Sequence, residues 1–255
     1  MIRRGLVALV LVLAVARVGE TQPAAVQGLV VYAASDLDMV FHELKPLFEK
    51  AAGVRVTLVM GSTGNLAKQI EHGAPADVFF SADESFVDQL RAAGAIIPQT
   101  RALYAQGRIV LVLPKKSAAA VRDIRDLLRP EVRRIAIANP AHAPYGRAAR
   151  EALERAGIWG QVKPKLVYGE NVRHALQFVE TGAVEAGIVA LSVANVPGVR
   201  SVPIDPALYA PLNQIAAVAK RSPRPELGAA FIQFVNGPEG RPIMKRYGFL
   251  LPGEL

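Results

Sequence analysis

The residues most able to do chemistry in this chain sit where strands give way to helices. The clearest case is Val54 to Asp83, VRVTLVMGSTGNLAKQIEHGAPADVFFSAD. Val54, Val56, Leu58 and Met60 alternate as a strand does, while Leu66, Gln69 and Ile70 recur at helical spacing. Gly61-Ser62-Thr63-Gly64 therefore turns a strand into a helix predicted over Asn65 to His72. A helix start leaves backbone N–H groups without intrahelical acceptors, and the aligned peptide dipoles make that end about half a charge positive. Such a turn is an anion site in outline. The plain alternative is that Ser62 and Thr63 only cap the helix.

The elements that must position this chemistry repeat the pattern three more times. Gly28 to Ala34 reads as a strand ending at Ser35, ahead of a helix from Asp36 to Ala52 that contains Pro46, a source of kinks. Arg134 to Ala138 leads through Asn139-Pro140-Ala141-His142-Ala143-Pro144-Tyr145-Gly146 into a helix from Arg147 to Ala156. Lys165 to Tyr168 leads through Gly169-Glu170-Asn171-Val172 into a helix carrying Ala175, Leu176, Phe178 and Val179. Further strands are predicted at Ala76 to Phe80, Gly107 to Leu113, Ala186 to Leu191 and Gln214 to Ala219. Helices are predicted at Glu84 to Ala93 and twice within Pro225 to Tyr247, on either side of Gly237-Pro238. This alternation implies an α/β fold with mixed, mainly parallel sheets, in which ligands bind beyond the carboxyl ends of strands.

Four such junctions facing one cleft offer many N–H and O–H donors and no Lys or Arg. That suits a small, fully deprotonated oxyanion. Charge-assisted hydrogen bonds contribute about 1.5 to 3 kcal/mol each. Six or seven sum to roughly 10 to 20 kcal/mol before an association cost of about 4 to 15, so micromolar to nanomolar binding is within reach.

Composition narrows the classes. The chain opens MIRRG, with Arg3 and Arg4 before the apolar run Leu6 to Ala16, the pattern of a cleaved secretory signal peptide and too short for a span of roughly 20 residues. Residues 1–27 are assigned to this leader, with small residues for a cut at Ala14-Val15-Ala16 or near Ala24-Ala25. The protein is thus expected outside the cytoplasm. There is no cysteine, which excludes disulfides, a lipid-anchored cysteine, a nucleophilic thiol and thiolate-bound metal. Formal charge is +8, from 30 basic and 22 acidic residues, and falls to about +6 without the leader. Basic residues are scattered and only 6% of residues are aromatic, so no nucleic-acid surface is indicated. His42, His72, His142 and His174 lack metal-ligand spacing and are read as surface or loop-edge residues. Asp77 and Asp83 read as turn or cap residues rather than paired catalytic carboxylates. No phosphate-binding P-loop and no G-x-S-x-G nucleophile elbow is present.

With these motifs in hand, the chain resembles the periplasmic molybdate-binding proteins of ABC importers. The resemblance rests on AAS at Ala33 to Ser35, GSTG at Gly61 to Gly64, GAPADVFFSAD at Gly73 to Asp83, NPAHAPYG at Asn139 to Gly146 and KRYGFLLP at Lys245 to Pro252. It implies a two-lobed type II periplasmic binding protein fold with a cleft between the lobes. A discontinuous first lobe is expected over 28–106 plus 215–255, and a second lobe over 107–214. It also implies a monomer without cofactor that holds molybdate or tungstate as the oxyanion, with no direct protein–metal bond. That anion passes to an ABC permease and its ATPase. The family's ligand positions fall on Ser35, Thr63 (rather than Ser62) and backbone N–H groups near Tyr145 and Val172; a tyrosine hydroxyl completes the shell, placed in some members where this chain has Ala190 and in others in the loop that here supplies Tyr145, the residue assigned. Ser62, Asn171 and Asp36 are secondary candidates. Asp36 departs from the family pattern, since a carboxylate facing a dianion repels it; its side chain is expected to point to solvent while its N–H donates. Other readings are a sulfate or phosphate receptor, or a secreted phosphate or sulfate ester hydrolase using Ser35 or Thr63 as nucleophile. Ser35 as a simple helix cap and Tyr145 as an ordinary half-buried tyrosine are the bland readings of those residues.

Overall fold

Buried strands alternating with one-sided helices resolve into two five-stranded sheets in a computed structural model that describes residues 28–117 and 119–254. The leader assigned to residues 1–27 lies outside the described residues. The first sheet contains β1 (Gly28–Ala34), β2 (Arg55–Gly61), β3 (Val78–Ser81), β4 (Ala102–Gly107) and β10 (Leu212–Val218), in the order β2-β1-β3-β10-β4. The second contains β5 (Ile109–Pro114), β6 (Ile135–Ala138), β7 (Leu166–Gly169), β8 (Ala186–Ala190) and β9 (Val199–Pro203), in the order β7-β6-β8-β5-β9. The chain crosses to the second sheet at Arg108 and returns before Leu212.

In both sheets the parallel pairings follow from strand–helix alternation: β1 with β2 and β3, and β6 with β7 and β8. All the antiparallel pairings involve β5 or β10, the strands that follow the two crossings. Each sheet is thus mixed in equal parts. β4 and β9, which the sequence patterns do not reveal, are both edge strands. An edge strand pairs on one side only, and ALYAQG and VRSVP carry little of the continuous apolar character of central strands.

Eight α-helices accompany the sheets among the described residues: α1 (Asp38–Ala52), α2 (Thr63–Glu71), α3 (Glu84–Ala92), α4 (Pro144–Arg155), α5 (Trp159–Val162), α6 (Val172–Glu180), α7 (Pro225–Asn236) and α8 (Gly240–Arg246). A short 3-10 turn, Ser35–Leu37, precedes α1, which runs on through Pro46. α2 and α4 begin earlier than their apolar spacing suggests. Pro144 opens α4 because the first helical position needs no N–H, so Tyr145 and Gly146 lie inside the first turn.

Aromatic edge-to-face contacts organise the core beside the first sheet, where Phe41, Phe80 and Phe231 meet at centroid distances of 4.9 to 5.6 Å. The second core is mostly aliphatic, and Ala34 and Ala82 from the first sheet's strand ends pack into it. Asp77, nearly fully buried, accepts hydrogen bonds from Val30 N at 2.8 Å, Ser222 Oγ at 2.6 Å and Arg224 Nη1 at 3.2 Å. It ties β1 to the segment before α7. Asp83 caps α3 through Ser85 N at 2.7 Å, as its position predicts.

Candidate functional site

The carboxyl ends of β1, β2, β6 and β7 lead to the starts of the 35–37 turn, α2, α4 and α6, and these four starts converge on one small cavity. Ser35, Asp36, Ser62, Thr63, Tyr145 and Val172 line it. No Lys or Arg is among the lining residues. Tyr145 and Val172 occupy the first turns of α4 and α6, so their backbone N–H groups have no acceptor within the helix.

The hydroxyls are set for donation rather than capping. Neither Ser62 nor Thr63 caps α2. Thr63 Oγ1 accepts from Ala82 N at 3.2 Å, which leaves its own O–H free to donate. Ser62 Oγ instead shares a 2.8 Å hydrogen bond with His142 Nδ1. The Ser35 hydroxyl finds no hydrogen-bond partner among the described residues, and its turn has no side-chain cap. Asn171 is placed apart from this group: its side chain caps α6 by accepting from His174 N at 3.0 Å, and it does not line the cavity.

Asp36 corrects the expectation that its carboxyl points to solvent. It is 1% exposed, and its Oδ2 accepts from the Tyr145 hydroxyl at 2.9 Å and from Gln214 Nε2 at 2.7 Å. Gln214 Nε2 also donates to Tyr145 Oη at 2.9 Å, closing a buried three-way network. Among the described residues, neither Asp36 Oδ1 nor Gln214 Oε1 has a hydrogen-bond partner. The 3-10 turn is the reason: it points residue 36 inward, against β10 and α4, where sequence spacing placed the first residue of an exposed helix turn. Burial pushes the Asp36 carboxyl up to about 7, against the lowering pull of its hydrogen bonds to Gln214 and Tyr145. Burial, and then the nearby Asp36 carboxyl, push the Tyr145 hydroxyl well above its ordinary value.

Both sheets contribute to the cavity, and they are joined at its lip. Gly64 N donates to His142 O at 2.9 Å, Ser192 Oγ to the Asp36 carbonyl at 2.7 Å, and Arg147 Nη2 to Asp83 Oδ2 at 2.7 Å. The Arg147 guanidinium also lies 5.0 Å from the centre of the Phe86 ring. This is a closed cleft around a donor-lined chamber. A larger open groove beside Arg150, Trp159 and Tyr168 mixes both signs of charge and has none of this convergence.

The model of the family of bacterial extracellular solute-binding proteins matches residues 29–250. The chain belongs to that family. Among its relatives, the molybdate-binding protein ModA of Rhodobacter capsulatus is 33% identical over 98% of this chain and 96% of its own. That of Escherichia coli K12 is 34% identical over 87% and 88%. The structure of the Azotobacter vinelandii periplasmic molybdate-binding protein superposes with a TM-score of 0.82 at 30% identity, covering 88% of this chain and 99% of that one.

As a solute-binding protein, the chain has the type II periplasmic binding protein fold, with its cavity between the two sheets. Sequence reasoning missed Gln214, Ser192 and the bonding role of His142. Gln214 lies within a predicted strand and is fully buried, and a lone glutamine in an apolar run, NQIAAV, is the signal that points to it. His142 is read from sequence as a loop-edge residue; it is partly buried and bonds across the lip through both side chain and backbone. Ser192 has no local signal, because its partner is a backbone carbonyl 156 residues away.

Proposed function

We propose that this solute-binding protein captures molybdate, and tungstate with it, outside the inner membrane and delivers the anion to an ABC permease and its ATPase. The observation that carries the reading is the convergence of four strand-to-helix junctions on one cavity lined by hydroxyls and free N–H groups without a Lys or Arg. The similarity to molybdate-binding relatives along nearly the whole chain supports the choice of anion. The Thr63 hydroxyl and the helix-start N–H groups are in place before the ligand arrives, which lowers the ordering cost of binding a dianion, and cavity size then separates molybdate and tungstate from smaller sulfate. The two sheets with their helices act as two lobes hinged where the chain crosses, at Arg108 and just before Leu212. The protein works as a monomer in the periplasm and carries no cofactor.

The ester-hydrolase reading is weaker. Ser62 does meet a histidine, yet no carboxylate orients the other ring nitrogen of His142 among the described residues, and Ser35 and Thr63 meet no base of their own. Titration of the purified protein with molybdate, tungstate, sulfate and phosphate, followed by calorimetry and thermal shift, tests the proposal. Tightest binding to molybdate or tungstate without turnover of generic phosphate or sulfate esters is expected. Tightest binding to phosphate, or ester turnover, overturns it.

Two substitutions probe the donors. Thr63→Ala removes an O–H already oriented by Ala82 N and weakens molybdate binding more than Ser62→Ala, whose hydroxyl is engaged at the lip. Dissociation constants in the opposite order reverse the assignment. Tyr145→Phe weakens binding by about 1 to 3 kcal/mol, read as a roughly 5- to 150-fold rise in Kd, since a hydrogen bond to a charged partner is lost. An unchanged Kd removes the Tyr145 hydroxyl from the anion's shell.

A further inference from the structure

The cavity as built contains a contradiction. A site made for a dianion has a carboxyl in its wall, buried, with one oxygen unpartnered and the other occupied by Tyr145 and Gln214. The hydroxyl meant for the anion is turned toward that carboxyl instead. Counting protons resolves both difficulties. An ionised Asp36 and a neutral Tyr145 share a single O–H, which is spent between them. A neutral Asp36 and a neutral Tyr145 have two, of which one closes the internal bond and the other is left for a ligand. The unpartnered Asp36 Oδ1 fits the same count, because a buried carboxylate oxygen without a donor is costly, whereas a carboxylic acid with an acceptor in the cavity is satisfied.

We infer that Asp36 is a proton-carrying specificity residue: the oxyanion binds together with one proton from solvent, held by the Asp36–Tyr145 pair, whose second O–H then donates to the anion. This rests on the proposed oxyanion receptor and deepens it. The step balances as one dianion and one proton taken up by an ionised Asp36, the proton raising the summed charge of site and ligand by one. Bound this way, the wall presents only donors, and fully deprotonated oxyanions are selected.

Among the described residues, the surroundings of Asp36 supply no cation that would hold it ionised. The titratable groups acting on it are Tyr145 on α4 and Tyr104 on β4, both neutral and pushed upward in part by Asp36 itself. Gln214 from β10 and Ser192 from the 191–193 turn are its polar neighbours. The buried face of α6 is apolar, with Val172, Ala175 and Leu176, and Asp38 and His42 of α1 pair with each other at the surface. Burial outweighs the lowering hydrogen bonds from Gln214 and Tyr145 and brings the Asp36 carboxyl to about 7, within reach of a proton at neutral pH. Its folded value is raised, so the proton is present on the free protein below about 7 and must be taken up on binding above it.

Calorimetry with molybdate, run in buffers of different ionisation enthalpy, tests this. At about pH 8.5 the wild-type protein is expected to take up close to one proton per anion, and its Kd to rise toward tenfold per pH unit above neutrality while staying flat below about pH 6. Asp36→Asn, a neutral isostere with its own amide donor, is expected to bind molybdate with no proton uptake and to lose that rise. Any pH dependence contributed by groups other than Asp36 persists in Asp36→Asn and is separated by it. Wild-type binding with no proton uptake and a flat Kd up to about pH 9 overturns the inference while leaving the receptor intact. A folded Asp36→Asn protein that keeps the wild-type pH profile also overturns it. Failure of the wild-type protein to bind molybdate, tungstate or sulfate at about pH 6, where Asp36 is already neutral, instead sinks the receptor reading.

Discussion

Gly64→Ala weakens molybdate binding by roughly 10- to 100-fold while leaving the ligand-free protein as stable as before, or slightly more so. Gly64 is the second residue of α2 and its φ is not positive, so alanine suits its backbone and improves local helix propensity by up to about 1 kcal/mol. What alanine cannot do is close the cleft. Its Cβ would lie 2.8 Å from the His142 carbonyl oxygen and 3.1 Å from the His142 Cα, on the opposite side of the lip. Those are backbone atoms, so relief comes from parting the two sheets, which also breaks the Gly64 N–H bond to His142 O. The closed state therefore loses stability relative to the open one, and the anion must supply the difference from its own binding energy. Calorimetric Kd values beside melting temperatures of ligand-free protein separate the two effects. Unchanged affinity means that the bound state does not use this lip contact. A melting temperature that drops together with affinity means that the substitution damages the fold rather than closure.

Gly107→Ala has the larger structural cost, expected at about 2 to 5 kcal/mol of stability with molybdate binding reduced by more than about 100-fold. Gly107 ends β4 behind the cavity, and a Cβ there would sit 2.1 Å from Tyr145 Oη and 2.7 Å from Gln214 Nε2. No rotamer of alanine avoids this. The tyrosine must swing out of the network, leaving Asp36 with Gln214 alone or with nothing, deep in a site where unpaired polar groups are costly. A second substitution makes the argument sharp. In Gly107→Ala with Tyr145→Phe the clashing oxygen is gone, so part of the lost stability returns and the double variant is more stable than additivity predicts. Thermal and denaturant unfolding of the two single variants and the double variant measure this coupling directly. Strict additivity overturns the assignment of Gly107 as the backing of the Tyr145 hydroxyl.

These two glycines show where local reading of the chain stops. The order of strands and helices, the placement of hydroxyls and glycines at their junctions, and the absence of Lys and Arg from those junctions are all legible in the sequence. Each depends on residues a few positions apart, through side-chain period, helix-start chemistry and charge. Ser35, Thr63, Tyr145 and Val172 are found that way or through family resemblance, and the tertiary structure brings all four to one cavity. Helix starts drift because Pro144 and Thr63 can open a helix ahead of its first apolar residue. Edge strands β4 and β9 escape because one-sided pairing asks little of their sequence.

What only the tertiary structure decided is the electrostatic character of the site. Asp36 looks like an exposed helix-start carboxylate in sequence, and it becomes a buried acid because Tyr145 and Gln214 reach it from 109 and 178 residues further along the chain. The same holds for Gly64 and Gly107, ordinary glycines until His142 and Tyr145 are packed against them. Periodicity reports which face of an element is apolar. It carries no information about which distant polar group will share that face, and desolvation, the largest influence on a buried carboxyl, is set by that packing alone.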